Sequence, residues 1–133
     1  MTSQNVLVID DDPSVRKALQ RLIRSAGMEA ETFASAEDFL AESHVLADCL
    51  VLDVRMPGMS GLELQQLLIA KEQPVPIVFI SAHEDGEIRR DAFAAGAAGF
   101  LHKPFEDQVL LDAIARATTQ SSRAAREAGE CPE

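Results

Sequence analysis

Three short apolar runs without a polar break, VLVI at 6–9, CLVL at 49–52 and IVFI at 77–80, constrain this chain more than any other feature. A strand with one face in water alternates apolar and polar side chains, so an unbroken run needs cover on both faces, as in the middle of a parallel sheet. Between the runs the apolar period becomes helical: Val15, Ala18, Leu19, Leu22, Ile23 and Ala26 fall on one face. Two mixed segments, Met28 to Phe33 and Gly99 to His102, are less apolar and suit edge strands, which brings the strands to about five. Strand alternating with helix implies right-handed crossovers and therefore an α/β fold, a doubly wound parallel sheet with helices on both faces.

Helix starts are marked by their capping residues. Asp12 is placed to cap the first helix, Pro13 sits where a missing N–H costs nothing, and Gly27 can end it. Further starts are read at Ser35, at Ser60 with Glu63 three residues on as a capping box, and near Asp85. A last helix follows Pro104, with Leu110, Ala113, Ile114 and Ala117 on one face. Residues 1–118 are expected to form one domain. Residues 119–133 lose apolar periodicity and read as a frayed helix end or the start of a linker.

The 133 residues suffice for one domain with a real core, and no apolar run approaches the roughly 20 residues of a membrane span. The start, MTSQNVLVIDD, lacks the basic flank of a secretory signal, so the cytoplasm is the expected compartment. A formal net charge of -10 argues against direct binding to nucleic acid or to an anionic membrane. The two cysteines, Cys49 in an apolar run and Cys131 in the tail, have no metal-ligand spacing and read as a core thiol and a tail thiol.

In a doubly wound sheet the ligand crevice lies at the carboxyl ends of the strands. Asp10, Asp11 and Asp12 close the first strand, Asp53 the third and Ser81 the fourth, while Lys103 follows the fifth, so all should gather at one edge. Carboxylates brought close together repel and need a compensating cation, and a hard, oxygen-seeking ion such as Mg²⁺ is the natural candidate. Carboxylate, divalent ion, lysine and hydroxyl together are the parts of a phosphoryl-transfer site, with Asp53 as the candidate phosphoacceptor.

Four segments, VLVIDDDPSVRKAL, VLDVRMPGMSGLEL, FISAHED and AAGAAGFLHKPF, occur in an order that strongly resembles the receiver (CheY-like) domains of two-component response regulators over residues 4–118. SAEDFL and KPFEDQVLLDAI are most similar to receivers of the FixJ type, usually joined to a LuxR-type helix-turn-helix domain. The resemblance implies the flavodoxin-like strand order 2-1-3-4-5. It further implies that Asp53 accepts a phosphoryl group from a sensor histidine kinase, and that Asp11, Asp53 and the backbone carbonyl of Arg55 hold Mg²⁺ or a substitute such as Mn²⁺, with Asp10 acting nearby. By the same resemblance Lys103 pairs with phosphoryl oxygens. Ser81 moves to hydrogen-bond them and Phe100 turns inward as the switch, while Arg55 and His83 lie at the pocket rim. A cis peptide is implied between Lys103 and Pro104. The implied output face is the fourth helix, fifth strand and fifth helix, driving a phosphorylation-dependent homodimer and a covalently linked DNA-binding domain.

Blander readings stand beside these. Asp12 suits a helix cap better than a metal ligand. His44, His83 and His102 read as solvated side chains, and Gly58 and Gly61 as turn geometry. A phosphatase of the haloacid-dehalogenase type also combines an Asp nucleophile with Ser or Thr, Lys and Mg²⁺. It needs a second acid two residues after the nucleophile, where this chain has Arg55. A degenerate receiver working as an interaction module alone is the third reading, disfavoured because every acid, hydroxyl and lysine is present. The chain is thus expected to be a signalling switch and not an enzyme in the ordinary sense.

Overall fold

Each unbroken apolar run becomes a central strand, and each splits its side chains between two cores. The computed structural model describes residues 4–42, 47–73, 75–83 and 85–130, with side chains through Thr119. His44 and Cys131 therefore lie outside the described residues. The elements alternate throughout: β1 (Asn5–Ile9), α1 (Pro13–Ser25), β2 (Glu29–Phe33), α2 (Ala36–Ala41), β3 (Cys49–Asp53), α3 (Gly61–Ala70), β4 (Ile77–Ser81), α4 (Gly86–Ala94), β5 (Gly99–His102) and α5 (Asp107–Glu130). All pairings are parallel and the sheet order is β2-β1-β3-β4-β5. This is the flavodoxin-like arrangement expected above.

Strand side chains alternate between faces, and the packing follows that period. Val6, Val8, Val51, Val78 and Ile80 face one way, against Leu19 and Ile23 of α1 and Leu110 and Ile114 of α5. Leu7, Ile9, Leu50, Leu52 and Phe79 face the other, against Ala36 of α2, Leu64 and Leu68 of α3 and Ala92 of α4. Burying each such large side chain contributes about 1.5–3 kcal/mol, so neither face can be left open to water. Cys49 belongs to the first core, and burial pushes its thiol up to about 12, which leaves it an inert packing group.

Helix ends form where the sequence marks them. Asp12 accepts from the Ser14 N–H, Ser35 from Asp38 and Asp85 from Glu87 and Ile88. Ser60 and Glu63 close a reciprocal capping box on α3. Gly27 follows α1 at φ +90°, a left-handed conformation that a side chain would strain. The α5 backbone stays helical past Thr118 to Glu130, where the sequence suggested a frayed end or linker. Among the described residues no helix is long and apolar enough to cross a membrane.

Candidate functional site

Parallel strands aim their carboxyl ends at one edge, and there the polar residues collect. Asp53 is the last residue of β3 and Ser81 the last of β4, while Asp10 follows β1 and Lys103 follows β5. One carboxylate oxygen from each of Asp10, Asp11 and Asp53 lies within 4.8 Å of the others. Asp10 and Asp53 are 0% and 6% exposed, whereas Asp11 is open to solvent. The Lys103–Pro104 peptide is cis.

The acids divide the local cations and donors unequally. Lys103 Nζ lies 2.9 Å from Asp10 Oδ2 and 3.8 Å from Asp53 Oδ2. Asp10 Oδ1 accepts from the Asp12 N–H at 2.9 Å, and Arg16 donates to the Asp10 carbonyl at 2.7 Å. Both Asp10 oxygens are thus satisfied by protein groups. Among the described residues, Asp53 has only a long 3.4 Å bond from the Arg55 N–H besides the distant ammonium. Its pKa rises from the usual 3.8 to about 7, chiefly because burial disfavours the charge and then because Asp10 repels it; Lys103 and the Arg55 N–H oppose the rise.

A hard divalent ion fits this donor set, which offers carboxylate oxygens alone and already holds more negative charge than one lysine offsets. Asp53 and Asp11 are the acids free to take it, with the Arg55 carbonyl on the loop directly beyond.

The remaining predicted residues lie on β4, on β5 and in the loops that follow β3 and β4. Ser81 Oγ donates to the His83 carbonyl at 2.9 Å and accepts from the His83 N–H at 3.1 Å, so the hydroxyl is turned toward that loop. The side chains of Arg55 and His83 are exposed. Phe100 is 8% exposed, its ring 6.1 Å from that of Phe79. Arg89, missed in the sequence reading, lies over the Phe100 ring at 5.7 Å and donates to the Phe100 carbonyl at 3.2 Å. It also covers Phe93 at 5.2 Å, a contact four residues along α4 that helical spacing does signal.

Gly61 shows how closely the backbone is drawn in. A Cβ there would meet the backbone carbonyl of Asp53 and approach Leu52 Cγ at 3.2 Å. Gly61→Ala is expected to cost about 3 kcal/mol, since rigid backbone must shift to admit the methyl group. Urea unfolding checks this, and a loss within measurement error would show that the α3 start relaxes freely.

Comparison with known proteins follows the same lines. Residues 6–115 match the family described as the response regulator receiver domain. The chain is 44% identical over 128 residues to nodulation protein W of Bradyrhizobium diazoefficiens, covering 96% of this chain and 56% of that protein. It is 40% identical over 126 residues to the transcriptional regulatory protein FixJ of the same organism, covering 94% and 62%. The chain therefore spans little more than half the length of these relatives. Among solved structures, FixJ-N superposes with a TM-score of 0.82 at 39% identity, over 90% of this chain and 96% of that one. The response regulator StyR superposes with a TM-score of 0.85 at 50% identity, over 97% of this chain and 67% of that one.

Proposed function

The chain belongs to the response regulator receiver domains, and from that premise we propose that it is a phosphorylation-dependent switch in which Asp53 takes a phosphoryl group from the phosphohistidine of a sensor kinase. The observation that carries this reading is the meeting of Asp53 with Asp10, Asp11 and Lys103 at one sheet edge. Asp53 sits on a rigid strand with one oxygen weakly held, which leaves that oxygen available as a nucleophile. It attacks phosphorus, the P–N bond breaks, and the electron pair leaves with the imidazole nitrogen, which takes up a proton. Asp11, Asp53 and the Arg55 carbonyl would hold Mg²⁺, or Mn²⁺ or a similar ion in its place, which would supply positive charge to offset that of the phosphoryl group.

Lys103 shares its charge between Asp10 and Asp53 and is placed to pair with an oxygen of the phosphoryl group. Ser81 gives up its bond to the His83 carbonyl and donates to the same group. Phe100 and α4 respond, and the face made of α4, β5 and α5 controls a homodimer. Water later hydrolyses the acyl phosphate, with Arg55 and His83 at the rim setting its access. The chain catalyses only its own phosphorylation and dephosphorylation. In the longer protein the switch governs a linked DNA-binding domain and so transcription, acting in the cytoplasm; FixJ, a transcriptional regulatory protein, supports this by similarity.

The test is the intact mass after incubation with acetyl phosphate, with and without Mg²⁺, beside Asp53→Asn. One phosphoryl adduct that needs both the ion and Asp53 is the expected result. An adduct that persists in Asp53→Asn would overturn the assignment, and turnover of a generic phosphomonoester would move the reading to the phosphatase.

A further inference from the structure

The loop from Val54 to Ser60 carries the Arg55 carbonyl; at its start the Val54 N–H donates to the Ile80 carbonyl of β4 at 3.0 Å, and its other end bonds are local. Gly61 N–H donates to the Val54 carbonyl at 2.9 Å, Arg55 N–H to Asp53, and Ser60 and Glu63 cap α3. These fix the two ends. Met56 packs into the second core, and among the described residues one side chain from a different element hydrogen-bonds to the middle of the loop: Glu37, in the first turn of α2, accepts the Met59 N–H on Oε2 at 2.9 Å across 22 residues.

A second observation meets the first at the same atom. Gly58 sits at φ +78°, and a Cβ built on it would lie 2.7 Å from Glu37 Oε2. The glycine thus serves the turn and also leaves room for the carboxylate. The ordinary role for an acid in a helix's first turn is to offset that helix's own dipole. Here the carboxyl is held below the usual range first by the Met59 N–H and then by its own backbone N–H, so the loop is its stronger partner.

We propose that Glu37 is a positioning residue for the phosphorylation site: with Gly58 it clasps the loop beyond Asp53 and presents the Arg55 carbonyl to the divalent ion. The inference rests on the receiver reading above and extends it to a residue on the helix that precedes β3. The groups facing Glu37 in the clasp are backbone, so the clasp needs an acceptor oxygen there and no charge. Partners that orient ligand groups typically change metal affinity 10–100-fold when removed.

The experiment titrates Mg²⁺ into the full chain calorimetrically, without a phosphodonor, and follows hydrogen exchange at the Met59 amide. Glu37→Ala is expected to weaken Mg²⁺ binding about 10-fold and to speed exchange at Met59, with unfolding unchanged because Glu37 is exposed. Glu37→Gln keeps an oxygen for the Met59 N–H and is expected to restore most of both. Wild-type Mg²⁺ affinity in Glu37→Ala, or no recovery in Glu37→Gln, would overturn the clasp, as would a wild-type chain that binds no Mg²⁺. A wild-type chain that binds Mg²⁺ but forms no phosphoryl adduct would sink the phosphoacceptor reading, while the Glu37 titrations still decide the clasp.

Discussion

Lys103→Met should both destabilise the fold and end phosphoryl transfer, because one ammonium serves two carboxylates. Asp10 is 0% exposed, and Lys103 Nζ at 2.9 Å is the partner of its Oδ2. Removing that partner strands a buried charge, which typically costs more than the intact pair contributes. About 3 kcal/mol is expected, at the low end of the range for breaking a buried pair, since the lysine side chain keeps 21% of its surface in water. Asp53 should also move further up in pKa, as Lys103 is the first of the influences that hold it down. Urea unfolding of Lys103→Met, Asp10→Asn and the double variant separates these contributions. If the stranded charge is the cause, the double variant recovers most of the loss while phosphorylation stays absent. A Lys103→Met chain as stable as the wild type would mean that water already reaches Asp10 and that the pair is incidental.

That pairing was not legible in the sequence, and the reason is physical. Strand positions follow from a period of two and helix ends from capping chemistry, both local, so Cys49 to Asp53, Ile77 to Ser81 and the caps at Asp12, Ser35, Ser60 and Asp85 lie where the sequence marks them. The crevice rule then gathers Asp10, Asp53, Ser81 and Lys103 at one edge. Which carboxylate oxygen the lysine chooses depends on rotamers and on competition across 93 residues of chain, which spacing alone does not encode. The strand order likewise came from the resemblance, since the apolar runs of β1, β3 and β4 are equally consistent with other orders of three buried strands.

The same limit explains Arg89 and Glu37. Each carries a charge on an exposed helix surface and reads as solvated in a one-dimensional pattern. Their partners, the Phe100 ring and the Met59 N–H, belong to other elements. Gly58 did carry a signal, since a glycine after Met-Pro marks a turn, but the carboxylate that fills the space beside it comes from α2. Local rules found the turn and not its occupant.

Asp53 should make stability fall with rising pH when no divalent ion is present. Its carboxyl titrates at about 7 in the folded chain against 3.8 ordinarily, so between those values the native state holds a proton that the unfolded chain has lost. The sign follows by linkage: this group favours the fold most below pH 3.8, its contribution declines as pH rises to about 7, and the full penalty persists above that. At about 1.4 kcal/mol per unit, with relaxation around an ionised group allowed for, the penalty is on the order of 2–4 kcal/mol. Other carboxylates pull the opposite way, so the informative quantity is the difference from Asp53→Asn, which keeps the shape and cannot ionise. That variant should match the wild type in acid and exceed it in stability above pH 7. Mg²⁺ should then close the gap from the wild-type side, because an ion that binds only the folded chain adds about 2.7 kcal/mol at a hundred times its dissociation constant. Asp53→Asn, lacking one of the carboxylates, should gain much less. Parallel pH curves for the two chains would show that Asp53 ionises without penalty, and equal gains with Mg²⁺ would place the ion away from Asp53.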